Sequence, residues 1–200
     1  MPYPISAPNK SKDASSLDAE AWVNAALAVL ASNGVEAVRV ERLAKSLNVT
    51  KGSFYWHFKD RRALFDAMLA NWRKRATLGV IDRLERSNKS AAERLKQLLA
   101  LPRFNSRSSR GGADVEAAIR LWGRSDATAA SAIGEIDRLR LSYIKSLLVA
   151  NGSLPRSASA SAMLIYSFML AEASVGRAMD LKVCADCEAL LLQLSTSEIP

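Results

Sequence analysis

Residues 39–58 read RVERLAKSLNVTKGSFYWHF, and this stretch decides the fold. Val40, Leu43, Ala44 and Leu47 recur at intervals of three and four, the spacing that puts side chains on one face of a helix. Asn48 follows, and asparagine tolerates the left-handed backbone conformation that ends a helix in a sharp turn. Thr50 is a helix-capping residue type, so a second, short helix is expected from Lys51 to about His57. On it Phe54 and Phe58 lie four apart and face inward with Leu43 and Leu47. Lys51, Ser53, Tyr55, His57 and Lys59 are left as polar, phosphate-friendly groups, and Trp56 suits either the core or a sugar edge. A helix of two turns buries little alone, so it must be supported from behind and used from the front. A helix, a tight turn and a second short helix form a helix-turn-helix, whose second helix lies in the major groove of double-stranded DNA.

The charge agrees with that reading. The net charge is +8, and residues 1–75 hold 12 Lys/Arg against 7 Asp/Glu. Residues 76–200 hold 16 against 13, so the shorter segment carries more of the excess. A basic module suits polyanionic phosphate. The hydrophobic fraction of 49% and charged fraction of 24% are ordinary for a globular chain, and 200 residues can bury a real core.

Outward from residues 39–58 the chain reads as helical almost throughout. Ala, Leu, Arg and Glu dominate, and no two-residue alternation is sustained. A first helix is expected from about Leu17, with Ser15 and Asp18 as a capping box and Trp22, Ala26, Val29 and Leu30 as its apolar stripe. Asn33-Gly34 ends it. Asp60 caps a long fourth helix, to about Arg86, with Leu64, Met68, Trp72, Leu78 and Ile81 inward. A fifth spans about Ser90 to Leu101 and is expected to stop at Pro102. A basic, mobile loop, Arg103 to Gly112, should follow. Further helices are expected at about Ala113–Arg124, Asp126–Ala150, Arg156–Asp180 and Val183–Thr196, nine in all. Residues 1–14, with Pro2, Pro4 and Pro8, read as a disordered arm without the apolar core of a secretory signal. The domains are then 15–60 for DNA binding and 61–200 for the rest.

The stretch VRVERLAKSLNVTKGSFYWHFKDRRALFDAML, residues 38–69, resembles the DNA-binding domain of the tetracycline-repressor family of bacterial transcriptional regulators. The resemblance covers about residues 17–75, and KGSFYWHFKDRRAL looks like the family's recognition helix and the start of its linking helix. It departs in two places: Asn48 stands where the family usually has Gly, and Arg39 where a Thr often opens the second helix. The implied fold is all-α, an N-terminal three-helix DNA-binding domain followed by a larger helical domain. Lys51, Gly52 and Ser53 open the recognition helix and are expected nearest the base edges, with Lys51 suited to guanine O6 or N7. Tyr55, His57 and Lys59 are expected on phosphates, with Thr50 and Arg39 at neighbouring helix N-termini.

The family arrangement further implies a homodimer that reads a palindrome, built from the last two helices. Met163, Leu170, Leu190 and Leu194 are the interface candidates. It also implies a small-molecule effector between the fourth and eighth helices, with Phe104, Trp122, Tyr143, Tyr166 and Met169 as pocket candidates and Arg120 as an anion partner. No cofactor or metal is expected. Cys184 and Cys187 form a C-x-x-C pair, but zinc needs four ligands and the one histidine, His57, lies in the DNA module. The pair is therefore read as packing in a reducing cytoplasm, with a thiol sensor as the alternative. No nucleophile elbow, phosphate loop or paired carboxylates appear, so no enzyme is expected. No long uncharged apolar run appears, so no membrane span is expected either.

Overall fold

The computed structural model describes residues 18–107, 112–175 and 180–194. Among them it is all-helical. The helices are α1 (Ala19–Asn33), α2 (Val40–Ser46), α3 (Lys51–Tyr55), α4, α5 (Ala91–Arg107), α6 (Gly112–Trp122), α7 (Ala127–Ala150), α8 (Pro155–Val175) and α9 (Leu181–Leu194). Helix α4 runs from Arg61–Arg73 through a π-wound turn, Lys74–Leu78, into Gly79–Glu85. The proposed arm and Ser15 lie outside the described residues.

Side-chain caps start several helices. Asp18 accepts from Ala21 N–H, Asp60 from Ala63 N–H, each at 2.8 Å, and Asp126 from Thr128 and Ala129 at 2.9 Å. Helix α5 opens with a reciprocal box: Ser90 N–H donates to Glu93 Oε2 at 2.8 Å, and Glu93 N–H donates to Ser90 Oγ at 3.3 Å. Gly34 ends α1 with a φ of 78°, and its N–H donates to the Leu30 carbonyl.

Two apolar cores result. The first joins Trp22, Val23, Leu27 and Leu30 of α1 to Leu43 of α2, Phe54 of α3 and Leu64, Phe65, Met68, Leu69 and Trp72 of α4. It continues onto Ile119 and Trp122 of α6 and Ala129, Ala132 and Ile136 of α7. The second gathers Leu84 of α4, Leu95, Leu98 and Leu99 of α5, Ile144, Leu147 and Leu148 of α7 and Ala158, Ala162, Ile165 and Tyr166 of α8. The expected domain boundary at residue 60 therefore precedes a helix whose first half belongs to the DNA-binding core.

Two expectations fail for physical reasons. Pro102 does not stop α5, which runs on to Arg107. Pro102 is itself buried beside Leu98 and Leu99, and packing on that face outweighs the one missing N–H. The expected loop at 103–112 is thereby shortened, and its residues 108–111 lie outside the described residues. Leu78 is exposed rather than inward, and Thr77 is buried instead. The π-turn carries five residues where an α-turn carries about four, so it shifts the buried face by one position.

Candidate nucleic-acid interface

Helices α2 and α3 meet at the expected turn. Asn48 has a φ of 55°, the left-handed region that asparagine tolerates. Val49 N–H donates to the Ala44 carbonyl at 3.0 Å and Asn48 N–H to that of Lys45 at 3.2 Å. These are the paired bonds that satisfy the last carbonyls of a helix ending in a left-handed residue. Asparagine thus supports the left-handed turn, and the helix-turn-helix geometry is kept.

Helix α3 has only five residues, and its place is set from behind. Phe54 is fully buried and meets the Trp22 ring edge-on at 5.3 Å, with the Phe58 ring 5.4 Å away. Phe54 and Phe58 are core, as read from the sequence. The opposite face carries Lys51, Gly52, Tyr55 and Trp56, all exposed, with Ser53 and His57 half-buried at its margins. Trp56 is 87% exposed, which excludes it from the core and puts a large aromatic on the surface beside Tyr55. The sequence left it undecided between the core and a sugar edge, although Gly52, Ser53, Lys59 and Asp60, three and four positions away, are none of them large apolar residues. A Cβ on Gly52 would meet only Thr50 Oγ1, at 3.6 Å. The fold itself therefore does not demand glycine there, and the space it leaves faces outward, where a nucleic-acid backbone can approach.

Thr50 occupies the position before α3, but its side chain makes no capping bond, contrary to expectation. Ser53 N–H is satisfied by the Thr50 carbonyl at 3.1 Å, so the hydroxyl is not needed for the helix. Arg39 precedes α2 without capping it, and its Nε donates to the Glu36 carbonyl at 3.2 Å. Lys51 Nζ pairs with Glu41 Oε1 at 2.5 Å across the two helices. Hydrogen bonding within this pair, with its mutual attraction, holds the Glu41 carboxyl below and the Lys51 ammonium above their ordinary pKa ranges. Both side chains are more than half exposed, so Lys51 can exchange Glu41 for a base or phosphate. Lys59 is exposed beyond the helix. Arg61, adjacent in sequence, is committed elsewhere: it donates to the carbonyls of Val38 at 2.8 Å and Val35 at 2.9 Å and lies over the Phe65 ring.

The predicted effector residues fall into several environments. Arg120 and Tyr166 join one buried polar network. Arg120 donates to Asp137 at 2.6 and 3.1 Å, to Glu116 at 3.0 Å and to the Tyr166 hydroxyl at 2.8 Å. Tyr166 donates to Asp137 at 2.6 Å. Arg140 donates to both Glu116 oxygens at 2.9 and 3.1 Å, and Trp72 Nε1 donates to Glu116 Oε2 at 2.9 Å. Burial disfavours the Glu116 and Asp137 carboxylates, but the arginines outweigh it and hold both below the usual carboxylate range. Burial, with the bond to Asp137, pushes the Tyr166 hydroxyl up to about 12. Trp122 is instead in the first core, edge-on to Phe65 at 5.0 Å, and lines a cleft of about 590 Å³ between α1 and α6. Tyr143 donates to Glu85 at 2.8 Å, Met169 packs on the second core, and the Phe104 side chain lies outside the described residues.

Residues 23–68 match the profile of the bacterial regulatory proteins of the tetR family. The matched segment is the one that holds α2, the turn at Asn48 and α3. Over 52 residues it is 44% identical to the tetracycline repressor protein class C of Escherichia coli, a match covering 26% of this chain and 24% of that protein. The class D repressor of Escherichia coli is 36% identical over 52 residues, with the same shares covered. The chain thus spans about a quarter of the length of these curated relatives. The likeness of fold runs further. A TetR-family transcriptional regulator from Rhodococcus sp. superposes with a TM-score of 0.70 at 20% identity, covering 90% of this chain and 98% of that one. The regulator FadR from Bacillus subtilis, in complex with stearoyl-CoA, gives a TM-score of 0.65 at 17% identity, covering 90% and 99%. These solved structures extend the shared fold through the C-terminal helices. Among the described residues no helix is long and apolar enough to cross a membrane, and no cluster of metal-ligating side chains occurs.

Proposed function

We propose that this protein is a dimeric transcriptional repressor that binds a palindromic operator through α3 and is released by a small-molecule effector. The observation that carries the DNA reading is the face of α3. Lys51, Gly52, Tyr55 and Trp56 stand exposed on one side, while Phe54 locks the other side into the core. In this reading Lys51 and Ser53 reach base edges, and Arg39, Thr50, Tyr55, His57 and Lys59 reach phosphates.

The dimer reading is supported by α8 and α9. Met163 and Leu190 are 55% and 59% exposed, and Leu164 and Val183 lie exposed beside them. Exposed apolar side chains on two adjacent helices suit a self-complementary contact. Leu170 is half-buried and packs on the second core, which leaves it a smaller share of such a contact. The Leu194 side chain lies outside the described residues. A second reading, DNA binding governed by a protein partner or by nothing, is favoured by the polar network. Arg120 and Tyr166, assigned to the effector, are already joined to Asp137 and Glu116.

Selection of bound duplexes from a random library, followed by footprinting, tests the proposal. The expected site has two symmetric half-sites about 34–36 Å apart. Lys51→Ala is expected to lose roughly tenfold or more in affinity for that site and to relax one base position. Lys59→Ala is expected to weaken all sequences alike and lower the salt slope by about one. A protein that enriches no sequence would overturn the reading. Challenging the operator complex with a small-molecule extract of the source cells separates the two forms of control: release supports an effector, persistence the partner reading.

A further inference from the structure

Helix α4 is wound differently where it crosses between the two cores. In the turn Lys74–Leu78, Gly79 N–H donates to the Lys74 carbonyl, five residues back. A Cβ on Gly79 would stand 3.0 Å from that same carbonyl oxygen. Glycine therefore sits where the wide turn closes, and a side chain there would press on it. The extra residue is visible in the packing: five positions separate buried Trp72 from buried Thr77.

One ion pair grips the helix just before this turn and within it. Arg140 donates through Nη2 to the Ala76 carbonyl at 3.3 Å and through Nε to Thr77 Oγ1 at 2.8 Å. Its partner Glu116 accepts from Trp72 Nε1, just before the turn, at 2.9 Å. The two side chains are only 16% and 13% exposed. Arg120, Asp137 and Tyr166 brace them from α6, α7 and α8.

The winding matters because α4 is shared. It sends Leu64, Phe65, Met68, Leu69 and Trp72 into the first core and Leu84 into the second. Removing one residue's worth of π-winding turns one end against the other by about 100° and about 1.5 Å if taken fully, and partial unwinding tilts it by less. We propose that Arg140, braced by Glu116 and permitted by the absence of a side chain at Gly79, positions the helix-turn-helix on the C-terminal helices by fixing the π-turn of α4. This rests on the regulator reading, in which that angle decides how two recognition helices meet two half-sites.

The test measures an intrachain distance in the full-length protein. Spin labels are placed at exposed Lys45 on α2 and exposed Ser142 on α7, with Cys184 and Cys187 replaced, and labelled chains are diluted with unlabelled ones. Gly79→Ala retains every side chain of the network and presses only on the wide turn. Arg140→Lys keeps the buried charge balanced but cannot reach Ala76, Thr77 and Glu116 together. Both variants are expected to keep the helical content of the parent by circular dichroism. Both are expected to move the main distance by about 1.5 Å or more, or to broaden its distribution. A distribution unchanged in Gly79→Ala overturns the proposal, as does full rescue of the parent distance by Arg140→Lys. Should Arg140→Lys fail to fold, Gly79→Ala decides alone. No DNA or effector enters this measurement, so its failure leaves the regulator reading standing, and failed footprinting leaves the positioning result standing.

Discussion

Phe54 in the DNA-binding module and Arg140 in the seam between the cores are both buried, yet different forces hold them. Phe54 touches rings: Trp22, Tyr55 and Phe58 lie within about a ring's width, and no polar group is involved. Arg140 is held by directed bonds to Glu116, Thr77, Ala76 and Tyr166. Apolar packing tolerates small adjustments, so a module built from it can keep its shape while its outer face varies. A buried guanidinium tolerates far less, because each lost partner leaves desolvated charge behind. The difference fits the work proposed for the two regions, one to present α3 to DNA and the other to fix the helix that carries it.

Three measurements press on that contrast. The largest effect is expected from Phe54→Ala, which should cost about 3–5 kcal/mol of unfolding free energy in urea, since the ring is fully buried and α3 has little else behind it. A loss under about 1 kcal/mol would mean that α3 is supported by something other than this ring. Next, Arg140→Met alone is expected to cost about 3 kcal/mol, because Glu116 is left buried beside one arginine fewer. Adding Glu116→Leu should return much of that loss, where two independent apolar contacts would simply add. Equal losses that sum would erase the distinction between seam and module.

The smallest and most graded effect is in acid. The pKa values of Glu116 and Asp137 are depressed in the folded protein below 4.5 and 3.8, the ordinary values. A depressed carboxylate contributes stability that is present above its unfolded value and lost as pH falls through its folded one. Melting temperature should therefore hold from neutrality down to about 4.5 and fall below it. Glu116→Leu/Arg140→Met should show a shallower fall, while Phe54→Ala should lower the whole curve without changing its shape.

The helix-turn-helix was legible because its signals are local. Asn48 stands just past Leu47 at the end of α2, Phe54 and Phe58 are four apart, and Asp60 caps the helix it precedes. The seam was not legible, because its partners are distant: 24 residues separate Glu116 from Arg140, 44 separate Trp72 from Glu116, and 63 separate Thr77 from Arg140. Arg120 was singled out from the sequence as an anion partner, and the anions it meets are the chain's own Asp137 and Glu116. The π-turn left one trace, Gly79 inside an otherwise strong helix, and glycine alone does not specify a wide turn. Pro102 misled in the opposite direction, since burial carried α5 past a residue that ends helices in isolation.

The amino-acid sequence by itself determined an all-helical chain, a left-handed turn at Asn48 and a short helix with Phe54 on one side and Lys51 and Tyr55 on the other. Periodicity, capping and backbone tolerance act within a few residues, so each is written in the order of the residues. Only the tertiary structure decided that Trp56 faces outward, that Thr50 leaves its hydroxyl unused as a cap, and that α4 widens at Lys74–Leu78. Those outcomes depend on which surfaces come together across the fold, where the burial of Thr77 and the charge of Arg140 outweigh the preference of any single turn.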